Sequence, residues 1–197
     1  MGYEIVEYGC LNEVQKMQAV ELFMEGFGHF MTFSKNDDLK KKLFVDIFHP
    51  TFFLCYVEDE KVLGLMGIAT NKLRPLKFDK ELCKKYFGKT TGAIISAQMN
   101  AIFQSKVVKS ENELYIDILA TAKEARRKGV GTALLNYAFG MKEYKAWSIE
   151  VFSKNEPARR LYEKVGFKVD KCKKISLMRF LGAGYPIKMK YIPRNLV

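Results

Sequence analysis

Residues 114–132 constrain the fold of this chain most, because they join a strand pattern to a helix pattern through a basic turn. The apolar run 114–120 predicts a strand, and a helical pattern begins around Gly129 and Gly131. A strand-turn-helix junction exposes free backbone N–H groups and the positive end of a helix dipole at one point. Glycines let the backbone approach a ligand closely, although they could also serve the turn alone. The turn also carries three basic side chains, Arg126, Arg127 and Lys128. We therefore predict an anion site, with phosphate as the expected anion.

The rest of the chain alternates strand and helix patterns, which predicts a mixed α/β (α+β) fold. Gly64 and Gly67 weaken one strand and indicate a bulge in it. The interpretation is as follows: a strand at 3–8, helices at 11–27 and 39–47 with a cap region at 34–38, a hairpin of 51–57 and 61–70 around residues 58–60, the central strand, a helix at 130–141, a strand at 147–152, a helix at 155–165, and strands at 167–169, 175–181 and 185–192, the last following the turn Gly182-Ala183-Gly184.

Residues 71–110 are the least regular part of the sequence. Pro75 interrupts the chain, residues 78–87 have an amphipathic pattern, and residues 91–108 alternate small and apolar residues. We interpret the stretch as a helical insertion within a single domain that spans residues 1–197. Three roles remain open for it: shaping a pocket, covering a cofactor, or forming a homodimer contact.

The charge distribution points to an anionic partner. The net charge is +11, and residues 122–174 hold 14 Lys+Arg against 6 Asp+Glu, so +8 of it lies around the glycine turn. Nucleic acid, a membrane surface or a phosphorylated small molecule would satisfy this charge. No apolar run is long enough to span a membrane, and the start of the chain lacks a signal pattern. The four cysteines and two histidines show no metal-ligand spacing, which favours reduced thiols in the cytoplasm and no metal.

Two sequence motifs follow one another in the second half of the chain. Residues 126–131, behind the apolar residues 118–121, match the pattern R/Q-x-x-G-x-G/A. The pattern V-x-x-x-N-x-x-A-x-x-x-Y-x-x-x-G-F is matched at every named position by Val151, Asn155, Ala158, Tyr162, Gly166 and Phe167. In this order, the two motifs resemble those of the GNAT superfamily of acetyl-CoA-dependent N-acetyltransferases, in which the first is the cofactor motif. The resemblance is specific over residues 112–169, looser over the first 70 residues, and absent over 71–110.

The resemblance implies a GNAT-like mixed, mostly antiparallel sheet flanked by helices. In that fold the central strand and its neighbour splay apart and form a slot for acetyl-CoA, the co-substrate. Backbone N–H groups from Arg127 to Thr132 would bind its pyrophosphate, which agrees with the anion site predicted from the residues alone.

The resemblance also implies roles for single residues. Backbone groups of Leu119 and Thr121 would pair with the pantetheine arm. Asn155 would contact that arm, and Tyr162 would lie near the thioester sulfur. The complete set of implied cofactor-binding residues is Leu119, Ala120, Thr121, Arg126, Arg127, Lys128, Gly129, Val130, Gly131, Thr132, Asn155, Ala158 and Tyr162.

Tyr162 is the candidate general acid. Acetyl transfer to an amine needs a neutral nucleophile, stabilisation of the developing oxyanion, and a proton for the leaving thiolate. Backbone donors at the end of the central strand can serve the oxyanion, and the Tyr162 hydroxyl can donate to the sulfur. Without the resemblance, this residue would be interpreted as a core tyrosine, because it lies on an apolar helical stripe.

Asp117 is the candidate general base. It alternates with Tyr115 and Leu119, so we expect the three to share a strand face and burial to raise the carboxyl pKa. Glu113 and Glu150 are rival bases, although exposed strand-end charges would explain both. Some members of the family use water chains in place of a side-chain base, which leaves the assignment open.

Two hypotheses about function follow. The preferred one is a cytoplasmic N-acetyltransferase that acts on a small-molecule or peptide amine, with no membrane partner. The alternative is a non-catalytic basic domain that binds nucleic acid or another partner, which the intact Asn155 and Tyr162 disfavour. His29 and His49 would border the acceptor side or be structural, and Cys55 is expected in the core. Four aromatic residues, Phe23, Phe27, Phe30 and Phe33, would line the acceptor side or belong to the core.

Overall fold

The structure, a computed structural model, describes residues 2–172 and 184–193. Its strands form one sheet in the order β1-β2-β3-β4-β5-β7-β6, in which β4 and β5 are parallel and all other neighbours are antiparallel. This arrangement confirms the predicted fold class. The strands are β1 (Tyr3–Glu7), β2 (Phe53–Glu58), β3 (Lys61–Ala69), β4 (Glu113–Thr121), β5 (Ala146–Phe152), β6 (Lys168–Cys172) and β7 (Pro186–Tyr191), and the helices are α1 (Glu13–Phe27), α2 (Asp37–Ile47), α3 (Lys80–Phe87), α4 (Lys89–Phe103), α5 (Val130–Phe139) and α6 (Glu156–Lys164).

Side-chain caps start the first two helices. The Asn12 side chain accepts a hydrogen bond from the Gln15 amide at 2.9 Å, and the Gln15 side chain accepts one from the Asn12 amide at 3.2 Å. Asn36 caps α2 by accepting from the Leu39 amide at 3.0 Å, within the cap region predicted at 34–38. These bonds satisfy amides that the first turn of a helix leaves free.

The predicted hairpin is present as β2 and β3. Asp59 and Glu60 connect the strands, and both have positive φ angles, of 49° and 61°. A two-residue loop with positive φ at both positions matches the right-handed twist of the flanking strands. The hairpin was therefore predicted correctly from its strand patterns, although neither loop residue is a glycine or asparagine.

Buried side chains cover both faces of the sheet. Beside α5, the fully buried Trp147 donates its indole N–H to the Ala138 carbonyl at 2.9 Å. The opposite face holds an aromatic cluster in which Phe48 stacks on Phe53 and contacts Phe23 and Phe44. The Trp147 side chain lies on the face of the sheet that packs against α5. Since successive residues of a strand point to opposite faces, Ser148 and Glu150 of β5 point to the side away from α5.

The sheet opens between β4 and β5. The two strands pair only from Glu113 to Ile116 on β4, while β4 continues to Thr121 beside β3. The predicted splay of the central strands is therefore present. Beyond Ile116, one edge of β4 has no neighbouring strand among the described residues.

A bulge in β4 corrects the expected alternation around Asp117. Ile116 pairs with Ile68 and Ile118 pairs with Gly67, so Asp117 is an extra residue opposite two consecutive residues of β3. The side chains of Tyr115 and Leu119 consequently lie on opposite faces of the sheet. The expectation that they share a face with Asp117 is wrong, because strict alternation does not continue through a bulge.

The stretch 71–110 contains α3 and α4. Its interpretation as an insertion, and that of the whole chain as a single domain, stay predictions. The strand predicted at 175–181, and most of the turn predicted at 182–184, lie outside the described residues.

Candidate functional site

A cleft of about 1690 Å³ occupies the opening between β4 and β5. Its wall includes both predicted catalytic residues, Tyr162 and Asp117. It also includes every predicted cofactor-binding residue except Lys128. The residues singled out from the sequence therefore come together in space, apart from that one lysine.

The open edge of β4 presents backbone groups to the cleft. The Ala122 amide donates to the Leu63 carbonyl of β3 at 3.0 Å. Because antiparallel pairing alternates, the N–H and C=O groups of Leu119 and Thr121 then point away from β3, into the gap beside β5. The Thr121 carbonyl accepts a hydrogen bond of 3.4 Å from Arg126, which agrees with this direction. An extended ligand can pair with this edge as a further strand does.

Backbone amides converge where α5 begins. Among residues 127–132, the Lys128 amide donates to the Ala125 carbonyl at 3.3 Å. The other five amides have no acceptor among the residues that the structure describes. Three of them belong to the first turn of a helix, where no intrahelical acceptor exists. Together with the helix dipole, they form a site for an anion such as a diphosphate.

The backbone of this turn is shaped for close approach. Arg127 and Gly129 have positive φ angles of 61° and 93°, so successive amides can turn toward one point. A Cβ on Gly131 would come within 3.0 Å of the Leu161 side chain, so a glycine keeps this side of the cleft open. Gly129 thus meets a backbone requirement and Gly131 a packing requirement of this turn.

The basic side chains of the turn are not equivalent. The Arg126 guanidinium lies 3.4 Å from the Glu25 carboxylate, which also pairs with Lys123 at 3.2 Å. Arg127 lines the cleft, whereas Lys128 does not. Of the three predicted basic residues, Arg127 is therefore the one that faces the cleft without an ion pair to the described residues.

The start of α6 carries the second motif. Asn155 caps the helix by accepting from the Ala158 amide at 3.3 Å, as its position in the sequence predicted. This bond uses the side-chain oxygen and leaves the amide nitrogen of Asn155 for a ligand. Both residues lie on the cleft wall.

Tyr162 projects from α6 into the cleft wall and is 6% exposed. Burial raises the pKa of its phenol well above the ordinary value, so the hydroxyl keeps its proton at neutral pH. The ring packs against Phe167 at a centroid distance of 6.0 Å. Its hydroxyl forms no hydrogen bond with the described residues, so a proton on this oxygen is available to a ligand.

Asp117 is held by Arg74, a residue that sequence reasoning missed. The guanidinium donates to both carboxylate oxygens at 2.9 Å and also to the Ser105 carbonyl at 2.6 Å. Burial raises the pKa of Asp117, and the positive charge of Arg74 opposes that rise. The ion pair gives Asp117 a structural role, namely fixing residues 71–110 to the bulge of β4. Its role as base stays a prediction.

The rival bases differ in position. Glu150 is exposed and lies on the cleft wall. Glu113 is buried off the cleft wall, and its carboxylate lies 3.2 Å from the Lys190 ammonium group. Glu150 is therefore the rival carboxylate with direct access to a ligand.

The two histidines also differ in position. His29 borders the cleft, whereas His49 accepts a hydrogen bond from the Thr51 amide at 3.3 Å.

Residues 71–110 form part of the cleft wall. The contributing residues are Arg74, Ile102, Phe103, Ser105, Lys106 and Val107. Of the three roles left open for this stretch, these positions favour the shaping of a pocket. The N-terminal aromatics divide: Phe27 and Phe30 line the cleft, while Phe23 is core and Phe33 packs on Phe44.

None of the described residues that line the cleft is a cysteine. Cys55 is fully buried, and burial raises the pKa of its thiol to about 12. Cys10 and Cys172 are exposed, and Cys83 is buried. No group of three His, Cys, Asp or Glu residues in the described part of the chain is arranged to hold a metal ion. Over the same residues, no helix has the length and apolar character needed to cross a membrane.

Comparisons with known proteins agree with this architecture. A model of the acetyltransferase (GNAT) family matches residues 17–167. An N-acetyltransferase from Staphylococcus aureus Mu50 is similar in structure, with a TM-score of 0.66 and 21% identity over 95% of this chain and 100% of that one. Ard1 from Thermoplasma volcanium has a TM-score of 0.57 and 16% identity, with 98% of each chain covered. At such identities these similarities show the fold. No curated protein sequence matches the chain.

Proposed function

The chain belongs to the acetyltransferase (GNAT) family, and from that premise we propose that it moves an acetyl group from acetyl-CoA to a primary amine by direct transfer. The main support for this proposal is the group of five amides around the start of α5, beside the open edge of β4, which have no acceptor among the described residues. A diphosphate and an extended arm are adjacent parts of coenzyme A, and these two features are adjacent in the cleft. The amides would hold the diphosphate, and Leu119 and Thr121 would hold the arm.

When bound, acetyl-CoA would supply an activated acetyl group as a thioester. Tyr162 is the proposed general acid, because its hydroxyl is protonated, lines the cleft and is not engaged by the described residues. A proton donated from this oxygen would neutralise a thiolate as it leaves. The absence of cysteine from the described wall supports transfer without an acyl-cysteine step.

The proton of the attacking amine needs an acceptor on the opposite side of the cleft. Both oxygens of Asp117 already accept from Arg74, so proton transfer to Asp117 competes with that ion pair. Glu150 lies on the same wall and is exposed. Asp117→Asn and Glu150→Gln will separate the two candidates. The variant that lacks the true base is expected to lose the acidic limb of the pH profile of kcat/KM, and the other variant is expected to keep it.

The Thr132→Glu variant tests the proposed acetyl-CoA site, called the donor site below. This substitution places a carboxylate in the first turn of α5, where it favours the helix but repels a diphosphate. Isothermal titration is expected to show acetyl-CoA binding to the wild type and a loss of about tenfold or more in the variant. Asn136→Glu is the matched control, since it adds the same charge to an exposed position one turn later, off the cleft wall.

Equal acetyl-CoA affinity in both variants would contradict the donor site. No binding to the wild type, or no CoA release with any amine of a broad panel, would refute the enzymatic proposal. In that case, strongly salt-dependent binding of nucleic acid would support the basic binding domain instead. We place the activity in the cytoplasm, as expected for a chain whose four cysteines are unpaired.

A further inference from the structure

Four lysines share one face of the sheet on the side away from α5. Lys168 pairs with Lys190, and Lys171 pairs with Lys188, across β6 and β7. Residues paired across antiparallel strands project from the same face, as do residues two apart on a strand. Like charges placed directly opposite each other destabilise a sheet. These two cross-strand pairs therefore carry a cost that an anion between them would remove.

The described acidic residues neutralise only part of this cluster. Glu113 lies 3.2 Å from the Lys190 ammonium group and 3.7 Å from that of Lys188. Burial opposes the ionisation of Glu113, but the Ser148 hydroxyl and the two lysines outweigh it and hold the pKa of Glu113 below its ordinary value. Residues 171–197 contain seven lysines and arginines and no Asp or Glu side chain. No acidic side chain of residues 171–197 is therefore available to balance Lys171, Lys188 or Lys190.

The cluster opens into the cleft at the acceptor side. Lys171, Lys188 and Lys106 lie on the cleft wall, whereas Lys168 and Lys190 do not. Lys188 pairs in register with Glu150 of β5 but forms no ion pair with it, and its ammonium group lies 3.5 Å from the Val107 carbonyl. Arg74 is already balanced by Asp117. Three lysines consequently face one exposed carboxylate in this part of the wall.

We propose that Lys171 and Lys188, with Lys106, bind an anionic group of the acceptor, so that the acetylated amine belongs to an acidic molecule. The proposal rests on the proposed function and adds the substrate class to it. A carboxylate or a phosphate satisfies the same ammonium donors through charge-assisted hydrogen bonds. A polyamine would meet like charge at this wall, and the structure therefore disfavours it as an acceptor.

Amines of matched length and different charge test this proposal. Pentylamine, 5-aminopentanoate and cadaverine share one chain length and carry a neutral, anionic or cationic second end, and 3-aminopropyl phosphate supplies the phosphate arm. Shorter and longer amino acids of the same type cover the unknown spacing. Binding to CoA-loaded protein is measured by titration, and turnover with acetyl-CoA is measured by CoA release. We expect the best anionic amine to exceed cadaverine by about tenfold or more in kcat/KM.

Lysine variants locate the effect. Lys188→Met and Lys171→Met are expected to lower the preference for the anionic amine about tenfold each while keeping the affinity for acetyl-CoA. Lys168→Met removes the same charge from the same strand as Lys171 but lies off the cleft wall, and it is expected to keep the preference. An equal loss in Lys168→Met would mean that overall charge, rather than this cluster, is responsible.

The failures of the two proposals are distinguishable. Acetyl-CoA binding is measured before any amine is added, and its absence refutes the acetyltransferase together with this inference. Normal acetyl-CoA binding with equal or better use of cadaverine refutes the anionic acceptor alone. Normal acetyl-CoA binding without detectable binding of any anionic amine refutes it as well.

Discussion

Replacing Tyr162 with phenylalanine is expected to abolish catalysis without weakening the fold. The residue is only 6% exposed, but its hydroxyl has no hydrogen bond to the described residues, so its removal breaks no hydrogen bond with them. Deleting a hydroxyl that lacks a protein partner is close to neutral for stability, and we expect a change within about 0.5 kcal/mol. Loss of a general acid lowers the rate about 100-fold to 10,000-fold. The variant should therefore combine normal unfolding with a collapse of kcat.

Tyr8→Phe is the matched control because it removes a tyrosine hydroxyl that is hydrogen-bonded within the protein. Tyr8 is also buried, but its hydroxyl donates to the Val45 carbonyl at 2.9 Å. Val45 lies in the last turn of α2, and the amide four residues on, that of His49, donates to the Pro75 carbonyl instead. The substitution leaves a helix-terminal carbonyl unpaired and should cost about 1–3 kcal/mol. For a chain of this length, that lowers Tm by about 2–4 °C per kcal/mol.

Three measurements on each variant decide the matter. Thermal unfolding gives stability, isothermal titration gives acetyl-CoA affinity, and CoA release with an accepted amine gives kcat and KM. Tyr162→Phe should change kcat alone, and Tyr8→Phe should change Tm alone. A Tyr162→Phe variant that retained more than about a tenth of kcat would refute the assignment of the general acid.

Three further predictions concern the site and its support. Arg74→Met leaves the Asp117 carboxylate buried and unpaired, so urea unfolding should show that the free energy of unfolding falls by about 3 kcal/mol. Adding Asp117→Asn should recover most of this loss. A loss below about 1 kcal/mol would contradict the structural role of the pair. The pKa of Glu113 is lowered by folding, so its contribution to stability is present above the ordinary pKa of 4.5 and is lost as the pH falls through the folded value. The stability gap between wild type and Glu113→Gln should therefore close on acidification, and a gap independent of pH would contradict this. Iodoacetamide at pH 8 should alkylate the two exposed cysteines, Cys10 and Cys172, in the native protein. Cys55, whose pKa is raised by burial to about 12, should react only in urea. Mass spectrometry counts the adducts, and a labelled Cys55 in the native state would contradict its burial.

The proposed donor half of the site was predictable because its determinants are local. The amides around Gly129 and the cap at Asn155 depend on residues within one helical turn. Short-range patterns of this kind specify where a helix begins and which backbone groups its first turn leaves free. The resemblance to a known family then connected the two segments, and the described structure places both on one cleft wall.

The proposed acceptor half was not predictable because its contacts span long stretches of sequence. Arg74 and Asp117 are 43 residues apart, and Lys190 and Glu113 are 77 residues apart. Neither pair shares a helix face or a hairpin. Placing Lys188 near Glu113 requires knowing that β7 lies between β5 and β6, and no local pattern specifies strand order. A basic run near the end of the chain, without acidic residues, was the available signal.

The bulge at Asp117 shows how one residue decides which faces the cleft can use. The glycines of β3 indicated a bulge in that strand, and one is present: Tyr56 pairs with Gly64 and Val57 pairs with Val62, so Leu63 is an extra residue opposite β2. At the edge of β3 that faces β4, the extra residue lies in β4. A Cβ on Gly67 would come within 3.2 Å of Ile118, so this glycine makes room for the displaced chain. Strict alternation would have put Tyr115 and Leu119 on one face. With the bulge, Tyr115 faces the side of the lysine cluster and Leu119 faces the opposite side. A single strand can therefore contribute side chains to both faces of the sheet beside the opening between β4 and β5, where the proposed donor and acceptor would have to meet for direct transfer.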